Sequence, residues 1–284
     1  MSQLTAIKGR IKTIANLHKV TNAMEMVTRT RIHKIRQNFV NAKNYQELSA
    51  KIFAVISAQA PGWLYKKSAP AAPEKYYLAF FSHKGFCGGF NDKLLQELRL
   101  VLRGNPAQLY MLGRPQARWK HYLRREYQHI PAEEKTYQAE TAGLLAELQA
   151  KILSGANIEI YYVYNRLISV LEQTPVVQKI YPAELPAPSG EVLLEPDADT
   201  LYPEALKGYL AACLDRAYWE SAAGEYYSRL LSMKNANDNA EIILNTLQIQ
   251  YSKTRQMRIT QELSEVVSAF DVLRVISAKR MEGV

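Results

Sequence analysis

The sequence predicts two long terminal helices that pair as an antiparallel coiled coil, with an α/β domain inserted between them. Three observations carry this. Both ends of the 284-residue chain place apolar residues at helical spacing over long stretches with few helix breakers. The middle alternates short apolar runs with helical patterns. Turn-forming residues mark both junctions, Ala60-Pro61-Gly62 with Ala69 to Pro73, and the proline- and acid-rich stretch Pro182 to Pro203.

In the first element the apolar positions run Leu4, Ile7, Ile11, Ile14, Leu17, Val20, Met24 and Val27. They resume at Ile32, Ile35, Phe39, Ala42, Tyr45, Leu48 and Ile52. The mean step is roughly 3.4 residues, close to the 3.5 of a left-handed supercoil. Gly9 is the only breaker before Pro61, so a helix of about 55 residues follows. One step is irregular. Between Val27 and Ile32, where Thr28 to Arg31 intervene, either the supercoil loosens or the polar groups face a partner.

The last element, roughly Leu206 to Ile276, has no proline after Pro203 and only Gly208 and Gly224 as glycines. Ile243, Leu247, Tyr251, Thr254 and Met257 recur at helical spacing. At 1.5 Å per residue it would reach on the order of 100 Å. An apolar stripe of that length needs a partner along it, and the first helix supplies one.

Between them, Lys75–Phe81, Gln108–Gly113, Ile158–Tyr164 and Val170–Ile180 read as strands, the last two hairpinned across Asn165 to Ser169. Helical patterns follow Phe90 at Leu94, Leu95, Leu98 and Leu102, and lie at Pro115–Tyr122 and Thr141–Leu153. This predicts a parallel or mixed sheet covered on both faces. The boundaries read as residues 1–60 for the first helix, 74–182 for the α/β domain, 183–204 for a linker and 205–280 for the last helix.

Charge is unevenly placed. The net charge is +9, and residues 1–51 carry ten cations against Glu25 and Glu47. An acidic partner, nucleic acid or an anionic membrane would be attracted by that excess; a solvated helix face is the plain alternative. No apolar run approaches the ~20 residues of a membrane span, and Met1 to Lys12 lacks the apolar core of a signal peptide. Cys87 and Cys213 fit no disulfide or metal spacing and read as reduced thiols in a cytosolic setting.

The candidate chemistry is thin. Gly85-Phe-Cys-Gly-Gly-Phe90 lies between a strand and a helix, but Lys84 precedes the glycines and no hydroxyl follows Gly89. That spacing fits neither a phosphate loop nor a dinucleotide fingerprint. A tight turn with positive φ explains the glycines instead. Ser82, His83 and Cys87 are close in sequence, yet no local acid orients His83. The five histidines do not cluster for zinc. The basic first helix lacks the stacking aromatics of a nucleic-acid groove.

Read together, the two ends and the glycine turn resemble the gamma subunit of F-type rotary ATPases. The matching stretches are Ile11 to Ile14, Lys19 to Val27, Gly85 to Asn91, Leu194 to Asp197, Met233 to Ala240 and Thr254 to Ser268. They stand in the family's order and span almost the whole chain. The resemblance implies a long antiparallel coiled coil with an inserted α/β (Rossmann-like) domain. It implies a non-catalytic rotor shaft with no cofactor and no metal. The shaft would stand inside an alpha/beta hexamer, with epsilon and the c-ring at its foot. Membrane contact would be made only through the c-ring, with no direct nucleic-acid contact. The setting implied is the cytoplasmic face of a bacterial plasma membrane.

Carried over by position, the resemblance assigns partner contact and coupling to Met24, Arg229, Arg255, Gln256, Thr260 and Glu262. It assigns the foot to Leu194, Glu195, Pro196 and Asp197. Departures are His83-Lys84 where the family commonly has Asp-Arg, Phe86 for Leu, Asn237 for Thr, and Ala269-Phe270 for a small pair. The same patterns also fit a coiled-coil scaffold with an α/β interaction domain, with or without nucleic acid associated, and a small α/β enzyme with helical arms.

Overall fold

A computed structural model describes residues 3–60, 72–104, 106–116, 118–185 and 192–281. The expected junction from Pro61 to Ala71, the middle of the second linker and residues 282–284 lie outside them. The elements are α1 (Gln3–Gln59), β1 (Glu74–Phe80), α2 (Phe90–Val101), β2 (Ala107–Leu112), α3 (Arg118–Leu123), β3 (Gln128–Ile130), α4 (Tyr137–Leu153), β4 (Ile158–Leu167), β5 (Gln173–Tyr181) and α5 (Ala198–Met281). The chain divides into two compact units, residues 27–232 and residues 1–26 with 233–284.

The larger unit is a five-stranded sheet in the order β3-β2-β1-β4-β5. β1 pairs parallel with β2 and β4, β2 pairs parallel with β3, and β4 pairs antiparallel with β5. Because side chains alternate across a strand, β1 divides its residues between two cores. Tyr76, Leu78 and Phe80 join Leu144, Leu148 and Ile152 of α4, Tyr202 to Leu214 of α5 and Phe53 and Ile56 of α1. Tyr77, Ala79 and Phe81 join Leu94, Leu95 and Leu98 of α2 and Trp119 of α3. Both faces are covered, as parallel strands require. Here α1 and α5 run antiparallel: Ile35 packs against Ala222 and Ala223, Gln46 accepts a bond from Arg216, and Phe53 stacks on Tyr209.

The smaller unit pairs the N-terminal part of α1 with α5 after Ser232. Thr21 donates to the side-chain oxygen of Asn237, and Asn237 donates to Glu25 at 2.7 Å. This register corrects the apolar stripe read from the sequence. Leu17, Val20 and Val27 are exposed, and so are Tyr45, Leu48 and Ile52 in the larger unit. The less exposed positions instead step by three and four without a break. They are Leu4, Ile7, Ile11, Ile14, His18, Thr21 and Glu25 in the smaller unit, then Thr28, Ile32, Ile35, Phe39, Ala42, Gln46, Ser49, Phe53 and Ile56 in the larger. The irregular step after Val27 disappears, because Thr28 carries the seam. On α5 the matching positions are Met233, Asn237, Ala240, Leu244, Leu247, Tyr251 and Thr254. Ile243 and Met257, expected among them, are exposed.

Three further boundaries differ. α5 begins at Ala198, before Pro203, because Asp197 caps it by accepting the Thr200 N–H at 3.0 Å. β3 is an unexpected strand, too short and too polar to alternate. Val170 and Leu171, read as strand, are exposed in the β4–β5 turn, where Ser169 Oγ accepts the Leu171 and Glu172 N–H groups.

Candidate functional site

The glycine turn after β1 is fixed by one face of α5 at Glu225, Ser228, Arg229 and Ser232, residues spaced to share a helix face. Arg229 Nε donates to the Gly85 carbonyl at 3.0 Å and Nη2 to the Lys84 carbonyl at 3.0 Å. Ser228 Oγ donates to the Cys87 carbonyl at 2.7 Å, and Ser221 Oγ to the Phe80 carbonyl at 3.1 Å. The turn needs glycine at position 88, where φ is +55° and a Cβ would meet Ser232 Oγ at 2.8 Å. Phe86, a residue with a Cβ, also stands at positive φ.

Glu225 supplies the charge at the centre. Its carboxylate accepts the backbone N–H groups of His83 at 3.0 Å and Lys84 at 3.2 Å and pairs with Arg229. Glycine-turn amides of this kind hold phosphate in nucleotide-binding loops. Here an internal carboxylate occupies them. Burial would push the Glu225 carboxyl up, but His83 and Arg229 outweigh it and hold it below the usual carboxylate range.

His83 lies with Nδ1 3.7 Å from Glu225, and its Nε2 donates to the Ala132 carbonyl at 2.5 Å. Burial would lower its pKa; the Glu225 carboxylate beside the ring and the Ala132 carbonyl raise it above the ordinary value. The acid that orients His83 therefore exists, but far away in sequence. It does not activate a nucleophile: Cys87 is buried and its thiol is pushed up, chiefly by that burial. Cys213 is buried too, pushed up to about 12. Among the described residues no cluster of His, Cys, Asp or Glu could hold a metal ion.

The residues assigned to partner contact fall in different surroundings. Arg229 is buried, 3% exposed, and belongs to the clamp. Met24 is half-buried beside the polar Thr21–Asn237–Glu25 group. Arg255, Gln256, Thr260 and Glu262 are exposed; Thr260 donates to the Gln256 carbonyl, and Glu262 pairs with Arg258 at 2.8 Å. Every residue from Arg255 to Asp271 is exposed, including the apolar stripe Ile259, Leu263, Val266 and Phe270. At the proposed foot, Leu194 packs on the larger core, while Glu195, Pro196 and Asp197 are exposed. The clamp residues Glu225 and Ser228 escaped the sequence reading. Their spacing with Arg229 was visible, but nothing local tied them to a turn some 140 residues earlier in the chain.

Two helices that pair antiparallel, with an α/β domain whose ionisable groups fix its own backbone, define a coiled-coil subunit with an inserted sheet domain. A family model described as ATP synthase matches residues 3–273. The ATP synthase gamma chain of Clostridium acetobutylicum is 32% identical over 282 residues, covering 95% of this chain and 98% of its own. That of Pelotomaculum thermopropionicum is 27% identical over 277 residues, covering 94% and 98%. The rotor of the Euglena gracilis mitochondrial ATP synthase shares the fold, with a TM-score of 0.62 at 15% identity over 90% of this chain and 98% of that one. The chain belongs to the ATP synthase gamma family. It is a non-catalytic subunit, the central rotor shaft, and sits peripheral to the membrane. No described helix is long and apolar enough to cross a membrane.

Proposed function

We propose that this chain couples ion-driven rotation to ATP synthesis or hydrolysis, on the cytoplasmic face of a bacterial plasma membrane. An alpha/beta hexamer surrounds the paired helices, and epsilon and the c-ring bind the foot at Leu194 to Asp197. The observation that carries this reading is the apolar stripe on α5 from Ile259 to Phe270, which stands exposed among the described residues. A helix with such a face requires a partner. A surrounding sleeve satisfies it without fixing one angular position.

Met24, Arg229, Arg255, Gln256, Thr260 and Glu262 are the proposed coupling positions. Arg255, Gln256, Thr260 and Glu262 act by direct contact, and Arg229 acts by holding the glycine turn in place. Polar contacts of this kind set register and approach more than affinity, as a rotor needs. The positive excess on α1 suits acidic loops on the surrounding subunits.

The test uses the complex reconstituted in vesicles with Arg255→Ala and Gln256→Ala. The expected result is coupled ATP synthesis lowered severalfold, with the thermal melting of the isolated chain unchanged. Unchanged synthesis would remove these two positions from the account.

A further inference from the structure

A cleft of about 650 Å³ opens in the larger unit beside the glycine turn. It lies at the carboxyl ends of β1, β2 and β3, bordered by Lys84, Arg114 and Pro131. In open α/β sheets that end of the strands is where ligands bind, and the size suits a small organic ligand. Gly113 shapes its floor: φ is +103°, and a Cβ there would lie 2.4 Å from the Phe81 carbonyl.

Its charge is unbalanced. None of Lys84, Arg114 and Lys135 forms an ion pair with a carboxylate among the described residues. Of the lining carboxylates, Glu225 is held by Arg229, and Glu134 stands 4.0 Å from Lys34. Arg31, the fourth lining cation, is engaged by Tyr226 and Glu134, so Glu133, which also acts on His83, is left to oppose the other three. Trp219 and Tyr226, both half-buried, add an aromatic wall to the lining, with the Arg229 guanidinium 5.2 Å from the Tyr226 ring centre.

We propose that this cleft binds a nucleoside phosphate, its phosphates held by Lys84, Arg114 and Lys135 and its base against Trp219 and Tyr226. Recognition is by side-chain cations rather than by the glycine turn, whose His83 and Lys84 amides already bind Glu225. Exposed cations are screened by salt, so the affinity is modest and falls as ionic strength rises. The site is independent of the nucleotide sites in partner subunits.

The experiment is calorimetric titration of the full chain at low salt with ADP, and separately with inorganic pyrophosphate. One site is expected, with ADP binding at least fivefold tighter than pyrophosphate because only ADP reaches the aromatic wall. The Lys84→Ala/Arg114→Ala double variant should bind ADP at least tenfold more weakly with unchanged thermal melting, since both residues are exposed. Glu133→Gln should bind it more tightly. Absence of ADP binding, equal affinity for pyrophosphate, or binding that survives the double variant overturns the proposal.

Discussion

Arg229 shows how much a single residue carries. It satisfies two carbonyls of the glycine turn and neutralises a buried carboxylate. Removing one partner of a buried ion pair typically costs about 3–5 kcal/mol, because the other charge is left uncompensated. Arg229→Ala is therefore expected to lower the unfolding free energy of the larger unit by that amount, read as a lower urea midpoint at unchanged slope. Arg229→Lys restores the charge but not the fork that spans both carbonyls, and recovers only part of it. His83 adds a pH dependence of known sign. Its pKa is raised in the folded chain above 6.5, so its contribution is complete below that value and is lost as pH rises through the folded pKa. Glu225 is lowered, so its contribution is present above the ordinary carboxylate range and fails in acid. Melting temperature is expected to fall from pH 6 to pH 8.5 in the parent chain (on the order of the His range) and to stay flatter in His83→Gln. A parallel slope in both would remove His83 from the clamp.

At the scale of elements, the helices and main strands were legible because their patterns are long or strongly apolar. The seam was not. Apolar Leu17, Val20 and Val27 drew the reading one position away from His18, Thr21, Glu25 and Thr28, which face inward on α1. A polar seam cannot be found by following hydrophobicity, and outward apolar residues are what a shaft inside a sleeve would carry. Polar groups in a seam set register at a cost in stability. Asn237 does so by bonding Thr21 and Glu25. Asn237→Leu is expected to keep the helix pair as stable or more so while loosening its register. Cysteines placed at Ile14 and Leu244, each seven residues away from the Thr21–Asn237 pair in the antiparallel register, should then cross-link in lower yield than with Asn237 present. An undiminished yield would show that the register is set elsewhere. The exposed positions Arg255, Gln256, Thr260 and Glu262 came from family resemblance alone; exposed polar side chains on a helix carry no local mark of a partner.

At the scale of the molecule, the strand order, with β3 at one edge, was not legible in the alternating strand and helix patterns, whereas the two covered faces follow from them. The clamp between the glycine turn and α5 does not, because it joins segments about 140 residues apart. That contact ties the α/β domain to the terminal helix by buried charge rather than apolar packing alone, a suitable joint for a part that transmits torque. Antiparallel pairing of α1 and α5 occurs within each unit, and membership of the ATP synthase gamma family gives it a purpose. The most direct test is to assemble the chain with alpha and beta subunits, fix the hexamer to a surface, attach a bead to a cysteine introduced at Glu195, and supply ATP. The account predicts sustained rotation of the bead in one direction, halting when ATP is exhausted. Steady ATP hydrolysis with a stationary bead would contradict it.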